Sequence, residues 1–196
     1  RLLRHAGKLT EAQRYLDLAE SKATRPTREA GLQFCKGLYN RYINNLNEAL
    51  HCFNLSRKDQ RWGPPARYHM VEIYLDPNKD AFLGEQENGG TVDANHIEDA
   101  RRLLAEIVRR GRPEDKVKKD LLECYCMIAT GNKQNVEMAL KQFQNMMGSD
   151  VDNVPAMLGM SVAHVRLKQQ PKARNMLKRI CKLDYKPEMV RHRCLY

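Results

Sequence analysis

The chain has 196 residues, 42% hydrophobic, 30% charged and 7% aromatic, with a formal charge of +10. No stretch approaches the roughly 18 consecutive apolar residues of a membrane-spanning helix, which excludes an integral membrane protein of that kind. Charges of mixed sign and apolar residues recurring throughout exclude wholesale disorder.

Residues 1–26 read as the end of a helical repeat. The chain begins at Arg1 with no charged-then-apolar leader, so a piece of a longer protein is expected. A turn at Gly7 leads into Lys8-Leu9-Thr10-Glu11-Ala12, with Leu16 one helical turn on and Ala19 beyond. Residues 27–61 hold a fuller copy. A first helix carries Lys36-Gly37, Leu38, Tyr39 and Tyr42, and a second carries Asn45-Leu46-Asn47-Glu48-Ala49, Phe53 and Ser56. Thr10, Asn47 and, in the next copy, Asn95 are the expected N-caps.

Residues 62–113 form a longer copy. After a break at Gly63-Pro64-Pro65, a first helix is expected over about 66–75 and a second from near His96, with Ile97-Glu98-Asp99-Ala100, Leu104 and Ile107. Between them, an insertion over 76–95 carries Asp76, Asp80, Glu85, Glu87 and Asp93 against Lys79, net −4 inside a basic chain. Loops of this length inside a compact repeat are functional or unstructured. Asp76, Asn78, Asp80, Leu83 and Glu87 stand at five positions of a calcium-binding EF-hand loop. Pro77 interrupts that loop, Ala81 replaces its obligatory glycine, and no exit helix follows, so an acidic linker is the better reading.

Residues 114–150 repeat the phrase as Val136-Glu137-Met138-Ala139, Phe143 and Met146. Residues 151–186 repeat it with Leu158-Gly159 in the first helix and Pro171-Lys172-Ala173, Leu177 and Ile180 in the second. Residues 187–196 read as the start of a further helix.

The five alanines, Ala12, Ala49, Ala100, Ala139 and Ala173, stand 37, 51, 39 and 34 residues apart, three of the intervals close to the 34-residue tetratricopeptide (TPR) period. The pattern has a packing cause. The alanine faces the partner helix at closest approach, and the bulky residue four later (Leu16, Phe53, Leu104, Phe143, Leu177) fills the space between repeats. Gly37 and Gly159 let the partner helix come near. The expected fold is all-α: a TPR-type helical-hairpin solenoid wound as a right-handed superhelix.

Chemistry finds little support. Cys35, Cys52, Cys124, Cys126, Cys181 and Cys194 are scattered, with neither disulfide-framework nor zinc spacing, and read as reduced, packed thiols. On a helix, Cys124 and Cys126 point roughly 200° apart. The six histidines show no metal spacing, and no phosphate loop or nucleophile elbow occurs. The reading is a non-enzyme with no cofactor and no metal.

The basic excess gathers in Arg101-Arg102, Arg109-Arg110, Lys116 with Lys118-Lys119, and above all in Lys168, Lys172, Arg174, Lys178, Arg179 and Lys182. Lys168, Lys172, Lys178, Arg179 and Lys182 are a candidate partner-binding ridge. Its partner would be another protein, a cargo adaptor or an anionic membrane surface. Nucleic acid is least favoured, since no aromatic residue interleaves the ridge. The clamp that some TPR domains close on a peptide carboxylate needs Lys and Asn where this chain has Phe34 and Leu38. Those apolar residues point to a groove that meets a partner through bulk contact.

With the repeats and the long third hairpin in place, the sequence resembles the tetratricopeptide repeat protein 21 family. Its members are large all-TPR subunits of the intraflagellar transport A complex. The resemblance rests on Tyr68-His69-Met70-Val71-Glu72-Ile73-Tyr74-Leu75-Asp76-Pro77 and the acidic insertion after it. Leu121-Leu122-Glu123-Cys124-Tyr125 and Pro155-Ala156-Met157-Leu158-Gly159 support it. It implies an interior or C-terminal fragment of a scaffold in the cytoplasm, the cilium and the ciliary base, working in retrograde transport and in ciliary entry of membrane cargo. The alternative is a free-standing cytosolic adaptor for short linear peptide motifs.

Overall fold

A computed structural model describes residues 8–76, 92–108, 113–149 and 151–183. Among them are nine α-helices, one 3-10 turn at Pro26–Arg28 and no strand. The helices are α1 (Leu9–Lys22), α2 (Ala30–Tyr42), α3 (Leu46–Ser56), α4 (Gly63–Tyr74) and α5 (Ala94–Val108). They continue as α6 (Pro113–Ala129), α7 (Lys133–Ser149), α8 (Val154–Arg166) and α9 (Gln170–Lys182). Each packs on the next, α2 on α3, α4 on α5, α6 on α7 and α8 on α9, while α6 also touches α8. The result is an all-helical solenoid with first helices in one layer and second helices in the other.

The hairpin turns share one device. Asn44, Gly131 and Lys168 each stand two residues past a first helix, with positive φ of 62°, 68° and 58°. The residue after two of them returns a backbone bond, Asn45 N–H to Asn40 O and Gln169 N–H to His164 O, both at 2.8 Å. Glycine or asparagine takes this conformation readily, whereas a lysine gives up roughly 1 kcal/mol.

Local starts differ from the sequence expectation. α4 begins at Gly63 rather than Ala66, because Pro64 and Pro65 fit the first turn, where no intrahelical N–H is required. The caps fall two residues earlier than expected. Asn45, not Asn47, accepts from Glu48 N–H, and Asp93, not Asn95, accepts from Asn95 N–H; Thr10 lies inside α1. Asn132 and Asn153 cap α7 and α8 in the same way.

Two hydrophobic cores result. One runs from Phe34 through α3, α4 and α5 to Leu122 and Cys126 of α6. The other takes Leu121, Cys124 and Ile128 from the opposite side of α6 and continues through Phe143 to Ala163. Among the signature residues, Ala49, Phe53, Ala100, Ala139 and Phe143 are wholly buried and Leu104 and Ala173 nearly so. Ala12 and Leu16 are half-buried, whereas Leu177 is 44% exposed.

The two signature phenylalanines, Phe53 and Phe143, are each held between the helices on either side of their own. Phe53 lies against Gly37 of α2 and stacks on His69 of α4 at 5.3 Å; Phe143 meets Tyr125 of α6 edge-on at 5.7 Å and lies against Gly159 of α8. The glycine therefore falls before the phenylalanine in one copy and after it in the other. A Cβ on Gly37 would come within 2.7 Å of the Phe53 ring, and one on Gly159 within 2.6 Å of Phe143 Cε1, so neither site admits a side chain without movement.

Candidate interaction surface

Three consecutive first helices meet in one buried charge cluster. α4 is buried along nearly its whole length, and Glu72, its only acid, has a side chain just 3% exposed. Arg41 Nη1 of α2 reaches Glu72 Oε2 at 2.5 Å, and Lys118 Nζ of α6 lies 3.5 Å from Glu72 Oε1. The same Arg41 nitrogen is 2.5 Å from His69 Nδ1. The same His69 Nδ1 also stands 3.3 Å from Glu72 Oε2. Burial is the main force lowering the His69 pKa. Burial alone would raise the Glu72 carboxyl, but His69, Lys118 and Arg41 outweigh it and hold the pKa at about 2. Lys118 also lies over the Tyr68 ring, 4.6 Å from its centroid. Glu72 is thus bracketed by a cation from the helix on each side, and the two cations close over α4.

Phe34 changes role accordingly. It is 8% exposed and packs on Phe53, Trp62 and His69 with ring centroids 5.1–5.8 Å apart. It is core, not the lining of an open groove, because Trp62 and His69 fold over it. Leu38 is partly buried against the same core.

The second-helix layer carries a cleft of about 420 Å³, bordered by His51 and Asn54 of α3, by Arg57 just after it, and by Asp99, Arg102 and Glu106 of α5, with Tyr74 and Met70 of α4 between them. Its charges largely cancel: Arg102 lies 3.5 Å from Asp99, and Glu106 accepts from buried Arg67 at 3.1 Å. Among the described residues, no group of three or more His, Cys, Asp or Glu could hold a metal ion. Of the acidic segment weighed as a calcium loop, residues 77–91 lie outside the described residues.

The sequence-predicted ridge falls at the other end. Lys168 lies in the turn before α9, and Lys172, Lys178 and Lys182 are exposed on that helix. Arg179 is engaged: its Nη2 donates to Val151 O at 2.9 Å and stands 3.7 Å from Asp152 Oδ1. The charge cluster at Glu72 is far from this ridge in sequence and was not foreseen. The sequence marks it only by Glu72, the one acid of α4, one turn after His69.

Comparison with known proteins gives these surfaces a context. Residues 1–75 match the family model described as the TT21 fifth ARM repeats domain, and residues 99–193 match the tetratricopeptide repeat protein 21 C-terminal ARM domain. Human tetratricopeptide repeat protein 21B is 39% identical over 194 residues, covering 94% of this chain. The chain belongs to the tetratricopeptide repeat protein 21 family. Mouse tetratricopeptide repeat protein 21A is 37% identical over 94% of the chain, and a Caenorhabditis elegans homologue 28% identical over 89%. The chain spans only 15% of the length of the human and mouse relatives. ARM and TPR repeats are both stacked-helix solenoids, and the packing above is of that kind. Membership makes the chain part of a helical-repeat scaffold family. Among the described residues, no helix is long and apolar enough to cross a membrane.

Proposed function

We propose that this chain is a segment of a non-enzymatic scaffold subunit of the intraflagellar transport A complex, acting in retrograde ciliary transport and in ciliary entry of membrane cargo. The observation that carries the reading is family membership along 94% of the chain, in two consecutive repeat domains. The solenoid supplies the physical basis: a stack of hairpins buries its apolar faces internally and leaves long, charged helix faces for other subunits. The repeats 27–61, 62–113, 114–150 and 151–186 are the units of that stack, with 1–26 ending one repeat and 187–196 opening another.

The peptide-adaptor alternative is disfavoured here. Such adaptors lay a peptide along the first-helix layer, and in this chain Arg41 and Lys118 close over Glu72 in that layer. The test is affinity purification of the tagged full-length protein from ciliated cells, with localisation of the same protein. Recovery of other transport subunits and ciliary staining are expected. A full-length protein that recovers none and stays out of the cilium would sink the reading.

A further inference from the structure

α9 is unlike every other described helix: it holds five cations, Lys172, Arg174, Lys178, Arg179 and Lys182, and no acid. On other helices several cations meet acids, as in Lys36 with Glu20, Lys119 with Glu123 and Lys133 with Glu137. In α9 only Arg179 does so. No carboxylate among the described residues pairs with Lys172, Arg174, Lys178 or Lys182. Arg174, Lys178 and Lys182 follow one another at four-residue steps, so they form a row with spacings of about 6 Å along the helix axis.

The shape of this surface narrows its partner. It is one helix wide. α8 beside it adds only Arg166 and the buried His164, and α7 mixes Lys133 and Lys141 with Glu137. A bilayer or a nucleic-acid backbone offers a broad field of anions and is matched by cations from several elements. Single-stranded nucleic acid is gripped by aromatic rings as well, and none lies between Arg166 and Lys182. A helix with acids at four-residue steps has the width and the repeat of the row. Leu177, exposed beside Lys178, supplies an apolar contact at its edge.

Resting on the scaffold reading above, we propose that the Arg174–Lys178–Lys182 row docks an acidic α-helix of a partner protein, with carboxylates set against the three cations and an apolar residue against Leu177. Lys172 and Lys168 extend the field toward the start of α9, where Lys168 holds its left-handed backbone at φ 58°.

The test uses the full-length protein and a fluorescein-labelled synthetic helix with glutamate at every fourth position and leucine beside it, read by anisotropy. Binding is expected to weaken as salt rises, and to fall about tenfold or more in the R174E/K178E/K182E variant, since three exposed attractions become repulsions. An R101E/K116E variant, altered at exposed cations elsewhere, should bind as the parent does. The three substituted residues are exposed, so the variant's melting temperature should match the parent; K178Q alone gives a milder version of the same test. Equal binding by the triple variant would overturn the proposal. So would tighter, row-dependent binding of phosphatidylserine vesicles or polyuridine RNA than of the helix. A triple variant that loses the peptide but still recovers transport subunits confirms the row and leaves the scaffold reading standing. A parent protein that binds the peptide but recovers no subunit sinks only the scaffold reading.

Discussion

Glu72→Gln removes one charge from the centre of the first-helix layer and keeps the side chain's shape. The carboxyl stands at about 2 in the fold against an ordinary 4.5. That difference corresponds to roughly 3–4 kcal/mol at neutral pH. Arg41 and Lys118 are each about a quarter exposed, 26% and 28%, so water screens part of the attraction. The expected loss is therefore about 2 kcal/mol, read as the shift in urea-denaturation midpoint multiplied by the slope. The sign with pH follows from the direction. A carboxyl depressed in the fold contributes fully above its unfolded pKa and loses that contribution as pH falls toward 2. The gap between parent and variant should hold from pH 7 to about 5 and then narrow. A variant within about 0.5 kcal/mol of the parent at pH 7, or a gap that does not change between pH 5 and pH 3, would refute the reasoning.

Gly37→Ala and Gly159→Ala press a methyl into the rings of Phe53 and Phe143, and each should lower stability by about 1–2 kcal/mol despite alanine's better helix propensity. Shortening the ring in the Gly159→Ala/Phe143→Leu double variant should recover part of the loss in a thermal melt. Phe143→Ala should cost about 3–5 kcal/mol, whereas Leu177→Ala, 44% exposed at the equivalent signature position, should cost under about 0.5. Cys35 and Cys181 are exposed and should react with a maleimide in the folded protein. Cys52, Cys124 and Cys126 should react only after unfolding, since burial above all pushes their thiols up to about 11, 12 and 11. Lys168→Gly should raise the melting midpoint, by roughly 1 kcal/mol of relieved backbone strain, in the same denaturation assay.

The helical faces were legible because apolar spacing records which side of a helix is buried. Ala49 with Phe53 and Ala139 with Phe143 follow that spacing into the cores. Helix starts were less legible. A cap depends on which nearby oxygen the turn aims at the first free N–H groups, and Asn45 and Asn47 look alike to a periodicity argument. Phe34 was misread as surface because its burial comes from Trp62 and His69 on other segments, which spacing within one helix does not report. The bridge through Glu72 was hidden for the same reason. Its partners lie 31 residues before and 46 after, and only the stacking of three repeats brings them together.

Cys124 and Cys126, two residues apart on α6, belong to different cores. α6 is in that sense a wall shared by two rooms: Leu122 and Cys126 face one side, Leu121, Cys124 and Ile128 the other. The two family domains, by contrast, part between residues 75 and 99, inside the first core, where α4 and α5 pack together. The boundary between the family domains therefore lies within continuous apolar packing, whereas the division between the two cores falls on the two faces of α6.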